Sequence, residues 1–170
     1  MSLTITVISD SHGHPGNISE VMARQEKVCK PGYVLFLGDG VADLDRCDLP
    51  DGCTLLAVQG NCDAVDSGYP AVRVVPLGIY RILMMHGHTC AVKHGLSSAV
   101  AMAVRENADL LLYGHTHQPD AQILRAGSEY CGLTFPKPLY IFNPGSIAEG
   151  SFGTITIGPD GILLAHGRLF

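Results

Sequence analysis

The chain has 170 residues, of which 46% are hydrophobic and 16% charged, and a formal net charge of −5. That balance excludes an intrinsically disordered chain, and it leaves too little positive charge for non-specific nucleic-acid binding. The compositional oddity is histidine, with 8 against 11 Lys plus Arg, because neutral imidazole serves as a metal ligand or proton carrier more readily than as a solubilising group.

Length predicts one domain over residues 1–170. No stretch reaches the ~18 apolar residues of a membrane span. The start, Met1 to Val7, carries no basic region or signal-peptide core. The cysteines, Cys29, Cys47, Cys53, Cys62, Cys90 and Cys131, form no CxxC pair. A reduced, cytoplasmic protein is therefore expected.

In chain order, Leu3 to Ser9 is apolar and β-branched and predicts a buried strand running into Asp10-Ser11-His12-Gly13. Ile18, Val21, Met22, Val28 and Cys29 follow helical spacing, and Pro31-Gly32 ends that helix. Tyr33 to Leu37 predicts a second buried strand, ending at Gly38-Asp39-Gly40. After a short helix, Thr54 to Val58 predicts a third, ending at Gly60-Asn61-Cys62-Asp63.

Val72 to Val75 and Ile79 to Met85 flank Pro76-Leu77-Gly78 as a hairpin, whose second arm runs into His86-Gly87-His88. Leu96 to Ala108 is helical in spacing, and Asp109 to Tyr113 predicts a strand leading to Gly114-His115-Thr116-His117. Gly127 to Ile147 reads as loop and strand, with Tyr140 to Phe142 ending at Asn143-Pro144-Gly145-Ser146. Phe152 to Ile157 and Ile162 to Arg168 surround a Pro159-Asp160-Gly161 turn. Strands apolar on both faces need cover on both. The expectation is an α/β fold of the two-sheet α/β/β/α sandwich type.

Five strands thus open into loops that begin with Asp, Asn or His, usually beside Gly: Asp10-x-His12, Gly38-Asp39, Gly60-Asn61-x-Asp63, His86-x-His88 and Gly114-His115-x-His117. Ligands bind at the carboxyl ends of strands in layered α/β folds. Asp, Asn and His are short-reach oxygen and nitrogen donors, a set that suits Mn, Mg, Fe, Ni, Co or Zn without any thiolate. Any one piece is weak, since an isolated HxH is usually two His on one strand face. Five in this order point to a shared metal site.

The order DxH, GD, GNxD, H, GHxH resembles the calcineurin-like metallophosphoesterases. The short form carrying Gly60-Asn61-Cys62-Asp63, His86-Gly87-His88, Gly114-His115-Thr116-His117 and Asn143-Pro144-Gly145-Ser146 is similar to the YfcE-type phosphodiesterases, whose fold the eukaryotic sorting subunit Vps29 shares. The resemblance implies that Asp10, His12 and His117 hold one divalent metal, that Asn61, His86 and His115 hold a second, and that Asp39 bridges the two. It implies two divalent ions per chain, Mn²⁺ first, with Ni²⁺, Mg²⁺, Fe²⁺, Co²⁺ or Zn²⁺ as alternatives. The implied reaction is phosphoester hydrolysis by a metal-activated hydroxide, without a covalent enzyme intermediate.

Many relatives place a His general acid after Gly-Asn, where this chain has Cys62. A thiol of pKa about 8.5 protonates an alkoxide poorly, so aryl leaving groups are expected to depart faster than alkyl ones. Asp39, Asn61, His88 and Asp63 form the expected catalytic set. His88 either hydrogen-bonds the phosphate or fixes its loop. Asp63 either orients Asn61 or a ligand His, or caps a turn. His14 is expected at the surface, His94 and His166 in ordinary roles, and Asn143 to Ser146 as a turn beneath the site. Substrate specificity is expected from the segments 65–69 and 118–135. A phosphomonoesterase on the same fold and a Vps29-like scaffold are the competing readings. The expected partner is a small phosphoester, with no stable nucleic-acid or membrane binding, and a homodimer or homotetramer stays open.

Overall fold

The computed structural model describes residues 2–170; Met1 lies outside the described residues. Two five-stranded mixed sheets pack face to face, with a helix on each outer side. In the first sheet the order is β12-β11-β1-β2-β3, formed by β1 (Leu3–Ile8), β2 (Tyr33–Phe36), β3 (Thr54–Ala57), β11 (Ser151–Gly158) and β12 (Gly161–Arg168). The second runs β4-β5-β6-β10-β7, formed by β4 (Val72–Leu77), β5 (Tyr80–Met85), β6 (Leu110–Leu112), β10 (Leu139–Asn143) and β7 (Asp120–Leu124). Helix α1 (Pro15–Val28) covers the first sheet and α2 (Ser97–Arg105) the second. A small hairpin joins β8 (Glu129–Tyr130) to β9 (Leu133–Thr134). This is the expected α/β/β/α sandwich.

Strand periodicity builds the layers. Ile5 and Val7 of β1 face the second sheet, meeting Ile82, Met84, Leu110 and Leu112 in the central core. Ile8 joins Val34, Phe36 and Ala57 on the other face, against Ile18, Val21 and Met22 of α1. Leu83, Met85, Leu111 and Ile141 pack outward against Ala99, Val100 and Ala103 of α2. The central strands bury both faces, which explains their unbroken apolar runs. Because β1, β2 and β3 are parallel, and so are β5, β6 and β10, the loops that follow them gather at one end of the sandwich.

Several boundaries differ from the sequence expectation. Helix α1 starts at Pro15 in its first turn, where a missing N–H costs nothing. Helix α2 stops before Ala108, and Asn107 takes a left-handed conformation (φ 52°). Strand β4 runs on through Pro76 to Leu77, tolerated because β4 is an edge strand. The segment 118–135 is not a cleft loop: β7 pairs antiparallel with β10, and Tyr130, Leu133 and Phe135 pack into the cluster around α2. Its polar edge strand carries no alternation to announce it, and pairing with β10 supplies the strand. No helix among the described residues is long and apolar enough to cross a membrane.

Candidate metal centre

The strand-end loops share an unusual backbone. Asp10 (φ 56°), His12 (φ 43°), Asp39 (φ 58°), His115 (φ 67°) and His117 (φ 61°) all lie in the left-handed region. Each such residue costs about 1–3 kcal/mol, and this strain persists only where surrounding structure over-determines it. Close packing of the loops does that here. A Cβ at Gly60 would overlap Asp39 Oδ1, and one at Gly114 would overlap Ser9 Oγ and crowd Asp10 Oδ2. The glycines of the GN and GH motifs therefore serve approach of the carboxylates.

Hydrogen bonds fix the two carboxylates. Asp10 is fully buried, and its Oδ2 accepts from Ser9 Oγ at 2.6 Å and from the His115 N–H at 3.1 Å. Asp39 Oδ1 accepts the Cys62 N–H at 2.8 Å. Their other oxygens face imidazole nitrogens. Asp10 Oδ1 has no hydrogen-bond partner and lies 3.2 Å from His117 Nε2, 3.7 Å from His12 Nε2 and 3.8 Å from His86 Nε2. Asp39 Oδ2 lies 3.2 Å from His86 Nε2 and 3.9 Å from His12 Nε2.

The His86 tautomer follows from chemistry. Its Nδ1 lies 2.8 Å from the Leu37 carbonyl oxygen, which only accepts, so Nδ1 carries the proton. In the neutral ring Nε2 then presents a lone pair to Asp39 Oδ2, another pure acceptor, and to His115 Nδ1 at 3.2 Å. His12 Nε2 and His117 Nε2 also meet at 3.2 Å. Acceptors converging in a buried site require a cation between them. The donor atoms form two compact sets, Asp10-His12-His117 and Asp39-His86-His115, each with all atoms within 4.8 Å of one another. Oxygen and imidazole donors in this mix fit divalent transition metals.

Without a metal, a proton meets the same demand. Burial disfavours charge on His86, but the Asp39 and Asp10 carboxylates outweigh it and raise the pKa. Burial works to raise the pKa of Asp39, yet its bonds to His86 and the Cys62 N–H hold it well below the usual carboxylate range. Burial and then the neighbouring His86 lower both His88 and His115. Burial and then Asp39 raise the Cys62 thiol.

The remaining expected residues take distinct places. Asn61 is exposed, with its amide nitrogen 3.4 Å from Cys62 Sγ. The carboxylate of Asp63 accepts four backbone N–H groups, from Asp39, Gly40, Val41 and Gly60, at 2.7–2.9 Å. It therefore orients the Asp39 loop itself, rather than Asn61 or a ligand His. His88 sits 5.5 Å from His86 and 6.2 Å from His115, between ring centroids, with its Nδ1 buried and unpartnered. His14 is exposed, and His166 stacks on Phe142 while bonding the Asn143 carbonyl at 2.7 Å. The Asn143 to Ser146 turn supports the site: Ser146 Oγ donates to the Asp10 carbonyl at 2.9 Å, and Asn143 Nδ2 to Gly114 O at 3.2 Å and Thr116 Oγ1 at 3.0 Å.

Two residues escaped the sequence reading, and a third, Cys62, takes a place it was not given. Buried Asp43 ties the DxH loop to the turn after Gly40, accepting from Ser11 Oγ at 2.6 Å and Gly13 N–H at 2.8 Å. Glu149 Oε1 lies 3.3 Å from His117 Nδ1. The Cys62 thiol forms a further donor set with His12 and Asp39. Only Cys62 carried a signal, its place beside Asn61. A cleft of about 600 Å³ opens beside the site, lined by His12, Asp39, Cys62, Asp45, Ser67 and Tyr69 among others. The segment 65–69 thus reaches the cleft, as expected.

Residues 3–158 match the family model of the calcineurin-like phosphoesterase superfamily domain, and the chain belongs to that superfamily. It is 26% identical over 145 residues to the probable metallophosphoesterase YsnB of Bacillus subtilis, covering 85% of this chain and 75% of that protein. A conserved uncharacterized protein of Streptococcus pneumoniae, a predicted phosphoesterase, superposes with a TM-score of 0.74 at 26% identity, covering 99% of this chain and 90% of that one. The fold alone is shared with two more distant structures. One is an archaeal phosphodiesterase (TM-score 0.66, 18% identity, 98% and 100% of the chains). The other is Vps29 of Entamoeba histolytica complexed with zinc (TM-score 0.62, 19% identity, 98% and 99%).

Proposed function

We propose that the chain is a dinuclear-metal phosphodiesterase acting on a small phosphoester. The observation that carries this is the convergence of unsatisfied donors for a cation: Asp10 Oδ1 has no hydrogen-bond partner, and the lone pair of neutral His86 Nε2 is aimed at the Asp39 carboxylate. In this reading Asp10, His12 and His117 hold one divalent ion, Asn61, His86 and His115 the other, and Asp39 both. Mn²⁺ is the first candidate, with Ni²⁺, Mg²⁺, Fe²⁺, Co²⁺ and Zn²⁺ as alternatives. Such ions polarise phosphoryl oxygens and lower the pKa of coordinated water, which supplies the nucleophile.

The chain's own residues do the rest. The rigid, strained loops hold the donors in place before substrate arrives. His88, kept neutral by burial and by His86, offers an N–H to a phosphoryl oxygen. The cleft lined by Ser67 and Tyr69 receives one ester substituent. The Cys62 thiol, raised in pKa, is a weak acid for the leaving oxygen. The two clustered donor sets, Asp10-His12-His117 and Asp39-His86-His115, support hydrolysis over a purely scaffolding role.

The test is hydrolysis of bis(p-nitrophenyl) phosphate beside p-nitrophenyl phosphate. Chelation should abolish diester turnover and Mn²⁺ restore it, with the diester preferred. Asp39→Asn should lower kcat by at least about 100-fold while the fold survives. Undiminished turnover in that variant contradicts the proposal.

A further inference from the structure

We infer that Glu149 is a positioning residue for His117, fixing the orientation and donor strength of that ring; the inference rests on the two-metal reading above. His117 Nδ1 lies 3.3 Å from Glu149 Oε1. A carboxylate only accepts, so Nδ1 carries the proton and Nε2 turns its lone pair toward Asp10 Oδ1 at 3.2 Å. The other donor set repeats the device. There His86 Nδ1 donates to the Leu37 carbonyl, and Nε2 faces Asp39 Oδ2. Each set therefore holds one histidine whose far nitrogen is fixed by an oxygen.

The two devices differ in charge. Leu37 supplies a neutral carbonyl in a fully buried place, whereas Glu149 supplies a carboxylate that is 63% exposed. A carboxylate behind a ligating imidazole raises its basicity as well as fixing its tautomer.

The backbone that presents Glu149 is anchored to the site. Ile147 N–H donates to Ser9 O at 2.9 Å and Ala148 N–H to Asp10 O at 3.2 Å. Asn17 Nδ2 of α1 donates to the Ile147 carbonyl at 3.0 Å. Ser146 and Ile147 are fully buried. The turn that carries Glu149 is thus bonded to the same backbone that carries Asp10.

The test is a Mn²⁺ titration of the metal-free full chain, with free Mn²⁺ read by electron paramagnetic resonance. Wild type, Glu149→Gln and Glu149→Ala are compared. Glu149→Ala should weaken one of two Mn²⁺ equivalents about 10-fold or more and leave the other in place. Glu149→Gln keeps an acceptor for the Nδ1 proton without the charge and should fall between. Thermal unfolding of the metal-free variants should match wild type. Equal affinity of Glu149→Ala and wild type for both equivalents overturns the inference alone, as does equal weakening of both equivalents with a lowered unfolding temperature. A wild type that binds no Mn²⁺ overturns the two-metal reading and this inference with it.

Discussion

The Asp63 carboxylate accepts the Asp39 backbone N–H at 2.8 Å, so one acid of the GNxD loop sets the place of the acid in the GD loop. The same carboxylate holds the N–H groups of Gly40, Val41 and Gly60. Hydrogen bonds to a charged acceptor contribute about 1.5–3 kcal/mol each, with strong non-additivity when they share one group. Asp63→Ala should therefore lower stability by about 3 kcal/mol or more. Asp63→Asn, with one acceptor oxygen against four donors, should lose stability and Mn²⁺ affinity together. Urea denaturation with and without Mn²⁺ checks both.

Gly60 admits no side chain. Gly60→Ala would set its Cβ against Asp39 Oδ1, a carboxylate already tied to Cys62 N–H. Overpacking of this kind costs about 1–3 kcal/mol. The expected outcome is a folded chain by circular dichroism that binds Mn²⁺ at least about 10-fold more weakly. Gly16→Ala is the control, at a glycine of ordinary φ with nothing within 4 Å of the added Cβ.

Stability of the metal-free chain should depend on pH through His86 and Asp39. The folded His86 pKa is raised, so its contribution is fully present below the ordinary value of about 6.5 and is lost as pH rises through the folded value. The folded Asp39 pKa is lowered, so its contribution is present above the ordinary value of about 3.9 and is lost as pH falls toward the folded value. The pair therefore stabilises the apo-chain most between those ordinary values. On the proposed function Mn²⁺ competes with the His86 proton, so the rise in unfolding temperature on adding Mn²⁺ should grow as pH increases from 5.5 to 8. Calorimetric scans across that range, with chelator and with Mn²⁺, check the sign.

Leaving-group dependence follows from Cys62. With its pKa raised by burial and by Asp39, the thiol donates a proton poorly at neutral pH. Rates across a series of aryl and alkyl phosphodiesters should fall steeply as the leaving-group pKa rises. A flat dependence would point to a stronger acid, with His88 the first residue to test by substitution.

Much of this was legible in the chain. Buried strands announce themselves by apolar runs such as Tyr33 to Leu37, and the residues that end them carry the chemistry. The five motif openings located Asp10, His12, Asp39, His86, His115 and His117, which the fold brings into two donor sets. What stayed hidden depends on pairing across the chain. Strand β7 exists because β10 lies beside it, and Asp120 to Leu124 has no alternation of its own. Asp43 and Glu149 look like ordinary surface acids until the fold sets them against Ser11 and His117. Asp63 was found, but the direction of its carboxylate, toward backbone rather than side chains, is set by how the Gly38 and Gly60 loops stack.

On the proposed function two divalent cations reconcile the acceptors of Asp10, Asp39 and the facing histidines. The most direct test is the Mn²⁺ content of the chain after loading and gel filtration, measured by elemental analysis in wild type and in Asp39→Asn. Two Mn²⁺ per wild-type chain and fewer than one in the variant are expected. A wild-type chain that retains no Mn²⁺, or a variant that retains both ions, would contradict the proposed function.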